Sequence, residues 1–189
     1  MANANIATGL TPRRYRNGAP WTGAARTYHV PATNTTSLFI GDPVLMTGTG
    51  DSMGYPDVGI APAGGRVTGV VVGFRPTAPF SPNKFLPAGT EGYVIVTDDP
   101  TLLYEVQDNG ALAVTAIGQN ADLVAGAGNV GTGWSGWQLN AATAATTATL
   151  QVRIIELQHR ADVEPGAQQK WLVALNNSTE TPAAGSTGI

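Results

Sequence analysis

The chain has no cysteine, only two histidines (His29, His159) and only two lysines (Lys84, Lys170). Without cysteine no disulfide framework can form. Few titratable side chains remain for acid-base or nucleophilic chemistry, so enzymatic activity is not expected. The charged fraction is 12%, against about 25% in an average soluble protein. Polarity comes from Thr, Asn, Ser and Gln instead. Such a surface is solvated but resists association weakly, which suits a member of a large assembly. No run approaches about 18 apolar residues, so no membrane span is expected. The start of the chain has no basic stretch followed by an apolar one and does not read as a signal peptide. Synthesis in a cytoplasm is the expectation, and the sequons at Asn34 and Asn177 are then coincidental.

Twenty-four glycines and thirteen prolines are present. They punctuate short Val/Ile/Leu/Thr runs. A chain of 189 residues is most simply one domain with an arm or tail. The net charge of -3 argues against a general nucleic-acid-binding role. The charge is unevenly placed. Residues 1–41 hold Arg13, Arg14, Arg16 and Arg26 and no acid, while the remainder holds six basic and thirteen acidic residues. This asymmetry favours docking of the N-terminal region on a negative surface.

Residues 1–25 contain Gly9, Pro12, Gly18, Pro20 and Gly23 and no apolar period. They read as an extended arm. Arg13, Arg14, Tyr15, Arg16 and Trp21 are its candidate interface residues, because Arg and aromatic side chains anchor protein interfaces. The body, 26–176, reads as strands over 26–30, 37–40, 44–47, 67–74, 92–97, 102–107, 147–157 and 170–176. Residues 51–65 read as a loop, 75–90 as a long functional or packed loop, and 119–124 as one helical turn. Residues 177–189 form a polar tail. Short strands separated by turns predict an all-β fold, a single β-barrel or β-sandwich with little helix.

Gly126-Ala127-Gly128-Asn129-Val130-Gly131 matches the dinucleotide fingerprint in letters only. The fingerprint needs a preceding strand and a following helix, and Gly131 to Gly136 cannot open a helix. A flexible surface loop is the better reading. Asp98-Asp99 and the loop residues Asp42, Asp51 and Asp57 read as turn formers, and adjacent side chains on a strand end point apart. No metal and no cofactor is expected. Gly133-Trp134-Ser135-Gly136 lacks the spacing of a nucleophile elbow. His29 falls within a strand pattern and His159 in a loop, with no partner indicated for either. Trp134 and Trp137 form a possible surface aromatic loop that could stack on sugar rings; the competing reading is that both rings cap the body.

The order of several short motifs resembles the capsid decoration, or cement, proteins of tailed bacteriophages. The motifs are Asn3-Ala4-Asn5, Gly9 to Arg13, Gly18-Ala19-Pro20, Tyr28 to Ala32, Leu38 to Val44 and Gly69 to Phe74. They continue with Val96 to Pro100, Gly118 to Leu123 and Lys170 to Val173, and so span nearly the whole chain. The resemblance implies a virion protein on the capsid exterior, made in the bacterial host cytoplasm. Its partners would be the major capsid protein and its own copies, as a homotrimer or a dimer, with no nucleic acid and no membrane. It would bridge neighbouring capsid subunits and stabilise the mature head. The resemblance brings no catalytic residues. The alternative is a virion or tail-associated module that binds a glycan or receptor through Trp134 and Trp137.

Overall fold

A computed structural model describes residues 3–76, 84–159, 164, 166–180 and 185–189. The centre of the long 75–90 loop and residues 181–184 of the tail lie outside the described residues. The chain is all-β. Five strands close a barrel in the order β2-β4-β3-β5-β6. These are β2 (Arg26–Val30), β3 (Pro43–Gly50), β4 (Pro56–Ile60), β5 (Gly69–Arg75) and β6 (Gly92–Thr97). A second sheet runs in the order β1-β7-β12-β11-β8. Its members are β1 (Thr11–Tyr15), β7 (Leu102–Gln107), β8 (Asn120–Ala121), β11 (Val152–Leu157) and β12 (Lys170–Leu175). The short pair β9 (Leu123–Val124) and β10 (Gln138–Leu139) is antiparallel. Two 3-10 turns, Val114–Ala116 and Ala141–Thr143, are the helical elements among the described residues.

Strand period 2 builds both cores. On β5, Val71 points into the barrel with Tyr28, Val30, Val58, Val94 and Val96. Its neighbour Val70 points the other way, into a larger core with Leu102, Tyr104, Ile154 and Trp171. The barrel wall is therefore also the floor of the second core. Every residue of β7 is buried, as expected for a strand covered on both faces.

Three departures from the sequence reading have plain causes. Residues 56–60 were expected in a loop and form β4. Pro56 opens the strand, where a missing N–H is tolerated, and the strand pairs with β3 on one side and β2 on the other. Residues 119–124 were expected as a helical turn and form β8 and β9. Asn120 anchors this segment, its amide donating to the carbonyls of Thr147 and Ser186. The run 37–40 makes only isolated bridges, Leu38 to Leu86 and Ile40 to Trp134.

The N-terminal segment is extended, as expected, but it does not stand apart. Thr11–Tyr15 is the edge strand β1, antiparallel to β7. Leu10 is fully buried. Ahead of it, Gly9 and Gly41, both at positive φ, pack against each other and against Ser135. A Cβ on Gly9 would lie 2.4 Å from the Gly41 carbonyl oxygen, so only glycine fits this crossing. The tail also returns to the body. Arg153 donates to the carbonyls of Ser186 and Thr187, and the Ile189 amide donates to Gly118.

Candidate functional site

The five arm residues named from the sequence are held largely by the chain itself. Arg13 lies on β1, and its guanidinium sits 3.1 Å from Glu105 on β7. Lys170 of β12 approaches the same carboxylate at 3.6 Å. Burial of Glu105 makes these cations necessary: an ionised carboxylate leaves water only when paired. Arg14 pairs with Glu156 on β11. Tyr15 and Trp21 are half-buried and pack against the larger core. The Trp21 indole N–H donates to Ala24, and its backbone amide donates to Arg13. Arg16 is exposed and makes no ion pair among the described residues. Of the set expected to reach a partner, Arg16 alone keeps its charge free. The expectation overlooked the acids, which lie far along the chain and come opposite the arginines only once the sheet forms.

The two tryptophans part company. Trp137 is 4% exposed and belongs to the larger core, whereas Trp134 is 38% exposed. They do not form a joint surface pair, nor do both rings cap the body: Trp137 is a core residue and Trp134 is exposed. The glycine loop around them is packed rather than free-standing. A Cβ at Gly126 would meet the Gly136 carbonyl at 2.1 Å, and one at Gly128 would meet the Phe39 ring at 2.2 Å. Phe39 in turn stacks on Phe85 at 4.8 Å. The Asn129 carboxamide accepts from the amides of Gly131 and Thr132, and Lys84 donates to the Gly131 carbonyl. These glycines permit close backbone approach; they do not cradle a phosphate.

The structure brings the start of the chain beside this loop. Gln138 donates to Asn5, and Gly9 packs on Ser135. Exposed apolar side chains occur on both segments: Ile6 is 64% exposed and Val130 is 66% exposed. With Trp134 they are the apolar residues that the two regions singled out in the sequence offer to a partner. Ile6 and Val130 were missed because isolated aliphatic residues in glycine-rich stretches carry no pattern.

A cleft of about 440 Å³ opens between the barrel and this loop, lined by Phe39, Ile60, Trp137 and Asp42 among others. Burial pushes the Asp42 carboxyl up to about 6, against the opposing pull of hydrogen bonds from Ser135 and the Phe39 amide. Asp42 accepts from the Phe39 amide at 2.7 Å and so fixes the turn beneath Phe39.

A second cleft of about 490 Å³ lies on the barrel, walled by Tyr55, Tyr93, Arg75, Glu91 and Met53. The Tyr93 hydroxyl donates to Asp51 at 2.7 Å, which pushes the phenol up to about 12. Its ring already meets Tyr55 edge-on, His29 at a tilt, and the Arg75 guanidinium at 5.7 Å. Under this cleft His29 is buried between Asp57 and Glu91. Sequence reading gave His29 no partner, since Asp57 on β4 and Glu91 just before β6 lie 28 and 62 residues along the chain. Among the described residues no group of three or more His, Asp or Glu side chains has the arrangement of a metal site. No helix among them is long and apolar enough to cross a membrane.

Comparisons of this chain with protein-family models, with curated proteins and with solved structures find no match.

Proposed function

We propose that the protein is a virion structural protein that binds the outside of a phage capsid and cements neighbouring major capsid subunits. The observation that carries this reading is how its interior polar side chains are used. Gln151 donates to Pro62 and accepts from the amides of Gly64 and Leu123. Gln107 donates to Ala4 and Gln168. Asn176 donates to Ala148 and Leu150. Each ties loops remote in sequence, and satisfied buried networks of this kind rigidify a fold. The β1 edge of the second sheet is covered as well. Residues 19–21 fold back on β1, with Tyr15 donating to Ala19 and Trp21 to Arg13. A closed barrel has no edge at all. A body braced in this way suits a protein that must bridge capsid joints and resist local opening.

Binding across a joint stabilises the assembled head over its dissociated subunits by linkage. Icosahedral repetition multiplies a weak contact by avidity. The contact surface in this reading is Ile6, Val130 and Trp134, together with Arg16 of the N-terminal segment, which is exposed and without an ion pair among the described residues. Partners are the major capsid protein and further copies of the chain, as a trimer or a dimer. The test is co-sedimentation of the purified protein with expanded, undecorated heads of its own phage. Saturable binding at a fixed ratio to capsid subunits is the expected result; absence of binding overturns the reading.

A second reading, a glycan- or receptor-binding virion module, rests on Trp134, the exposed member of the aromatic pair. A glycan array that responds to the wild type and is silent with Trp134→Ala would favour it over cementing.

A further inference from the structure

His29 sits where the barrel closes. β2 meets β4 in the parallel pairing of the barrel, and His29 with Asp57 is the residue pair in register there. The side chains reinforce this short seam. His29 Nδ1 lies 2.6 Å from Asp57 Oδ1, and Nε2 lies 3.1 Å from Glu91 Oε1. The other oxygen of Asp57 accepts from the Thr49 hydroxyl on β3 at 2.7 Å. A neutral imidazole has one N–H and can donate to only one of two carboxylates; the imidazolium donates to both. The geometry therefore calls for the cation.

We propose that His29 is a pH-operated latch: its imidazolium clasps both β4 and the segment entering β6 to β2, and loss of the proton weakens this clasp at the barrel seam.

The groups facing the ring from neighbouring elements agree in sign. Asp57 comes from β4, Asp51 from the β3–β4 turn and Glu91 from the segment entering β6. Tyr93 of β6 contributes its ring, and Arg75 of β5 lies over the far side of that ring. Three carboxylates against one guanidinium favour a cationic imidazole. Burial works against the cation, but hydrogen bonds to Asp57 and Glu91 outweigh it and hold His29 above its ordinary value. The bonds from His29 and Thr49 hold Asp57 below the usual carboxylate range. The raised His29 value means that its stabilisation is complete below the unfolded value of 6.5 and is lost as pH rises through the folded one. The lowered Asp57 value means that its part is lost only as acid pH falls through the folded value. The latch is closed between these limits and opens on the alkaline side. Release leaves one ring nitrogen without a proton beside a carboxylate: the neutral ring keeps a single N–H, so the seam loses one of its two bonds and Asp57 loses its cationic partner.

The test uses the full chain. Proton NMR follows both imidazole Cε1–H signals from about pH 5 to about pH 9, and His29→Gln identifies the His29 signal by its loss. Amide exchange, corrected for its intrinsic pH dependence, reports protection at Val58, next to the His29–Asp57 pair on β4, in the same range. The expected result is a His29 midpoint above the ordinary value of 6.5. Protection should fall with it, by at most about tenfold per pH unit, in the wild type and not in His29→Gln. A His29 midpoint at or below 6.5 overturns the latch, and so does protection that is flat through the midpoint. Should His29→Gln not fold, Asp57→Asn serves as the reference variant, and the wild-type midpoint alone still decides.

Discussion

Asp108 shows how a single buried carboxylate organises this interior. It is fully buried and accepts from the Trp171 indole N–H at 3.0 Å, the Gln169 amide at 3.1 Å and the Leu112 amide at 3.3 Å. Burial pushes its pKa up against the pull of these same bonds. Asp108→Ala leaves three buried donors without an acceptor. Each unsatisfied group costs roughly 1–3 kcal/mol, and relaxation shares part of that cost, so a loss of about 3–5 kcal/mol is expected in urea unfolding. Asp108→Asn keeps one acceptor oxygen and should lose less than half as much. Equal losses for the two variants would mean that packing at this position matters rather than the carboxylate. The sequence marks Asp108-Asn109-Gly110 as a turn, which is what short-range chemistry can reveal. It does not reveal the tie to Trp171, 63 residues away. The same limit hid the partners of Arg13, Arg14 and His29.

At the scale of elements, strands whose apolar and β-branched runs are continuous were legible: β2, β6, β7 and β12 fall where composition places them. β4 was not, because Pro56, Asp57 and Gly59 are turn residues that become a strand only through neighbours on both sides. β1 was not, because Pro12 and two arginines resemble a solvated arm until Glu105 and Glu156 come opposite. This bears on a natural experiment. Sequence alone predicts that removing residues 1–25 spares the body. The structure predicts otherwise: the deletion strips β1 from β7, removes the buried Leu10, and takes away the Gly9–Gly41 crossing. Losing one buried leucine alone costs roughly 2–5 kcal/mol, a large part of a typical stability of about 5–15 kcal/mol. The 1–25 deletion should therefore be insoluble or lose cooperative thermal unfolding. A deletion of residues 1–5 breaks only polar ties at Asn3, Ala4 and Asn5, and its loss should stay within about 2 kcal/mol. A cooperative, soluble body lacking residues 1–25 would show that β1 is a docked arm and not a structural strand.

At the scale of the whole molecule, the fold rewrites the charge map that the sequence suggests. The four arginines of residues 1–41 look like a positive arm on an acidic body. In the folded chain Arg13 meets Glu105, Arg14 meets Glu156 and Arg26 meets Asp98. The field of the segment is largely cancelled within the molecule, and Arg16 is left over. The Arg14–Glu156 pair, half-exposed on both sides, contributes little, about 0–1 kcal/mol, so a strongly negative partner could still compete for it, whereas the buried Glu105 holds Arg13 more firmly. The two possibilities differ in salt dependence. If capsid binding rests on Ile6, Val130 and Trp134, salt has little to screen, and raising it from about 0.05 M to about 0.3 M should change the apparent affinity for heads less than threefold. Trp134→Ala should then weaken binding by about tenfold or more, as expected of a half-exposed aromatic anchor, and Arg16→Ala should have a much smaller effect. If the arginines leave their internal partners to engage capsid carboxylates, affinity should fall steeply over the same salt range, and Arg13→Ala and Arg14→Ala should weaken binding more than Trp134→Ala. Co-sedimentation at two salt concentrations with these four variants separates the two, because only the second requires the sheet to surrender contacts already made.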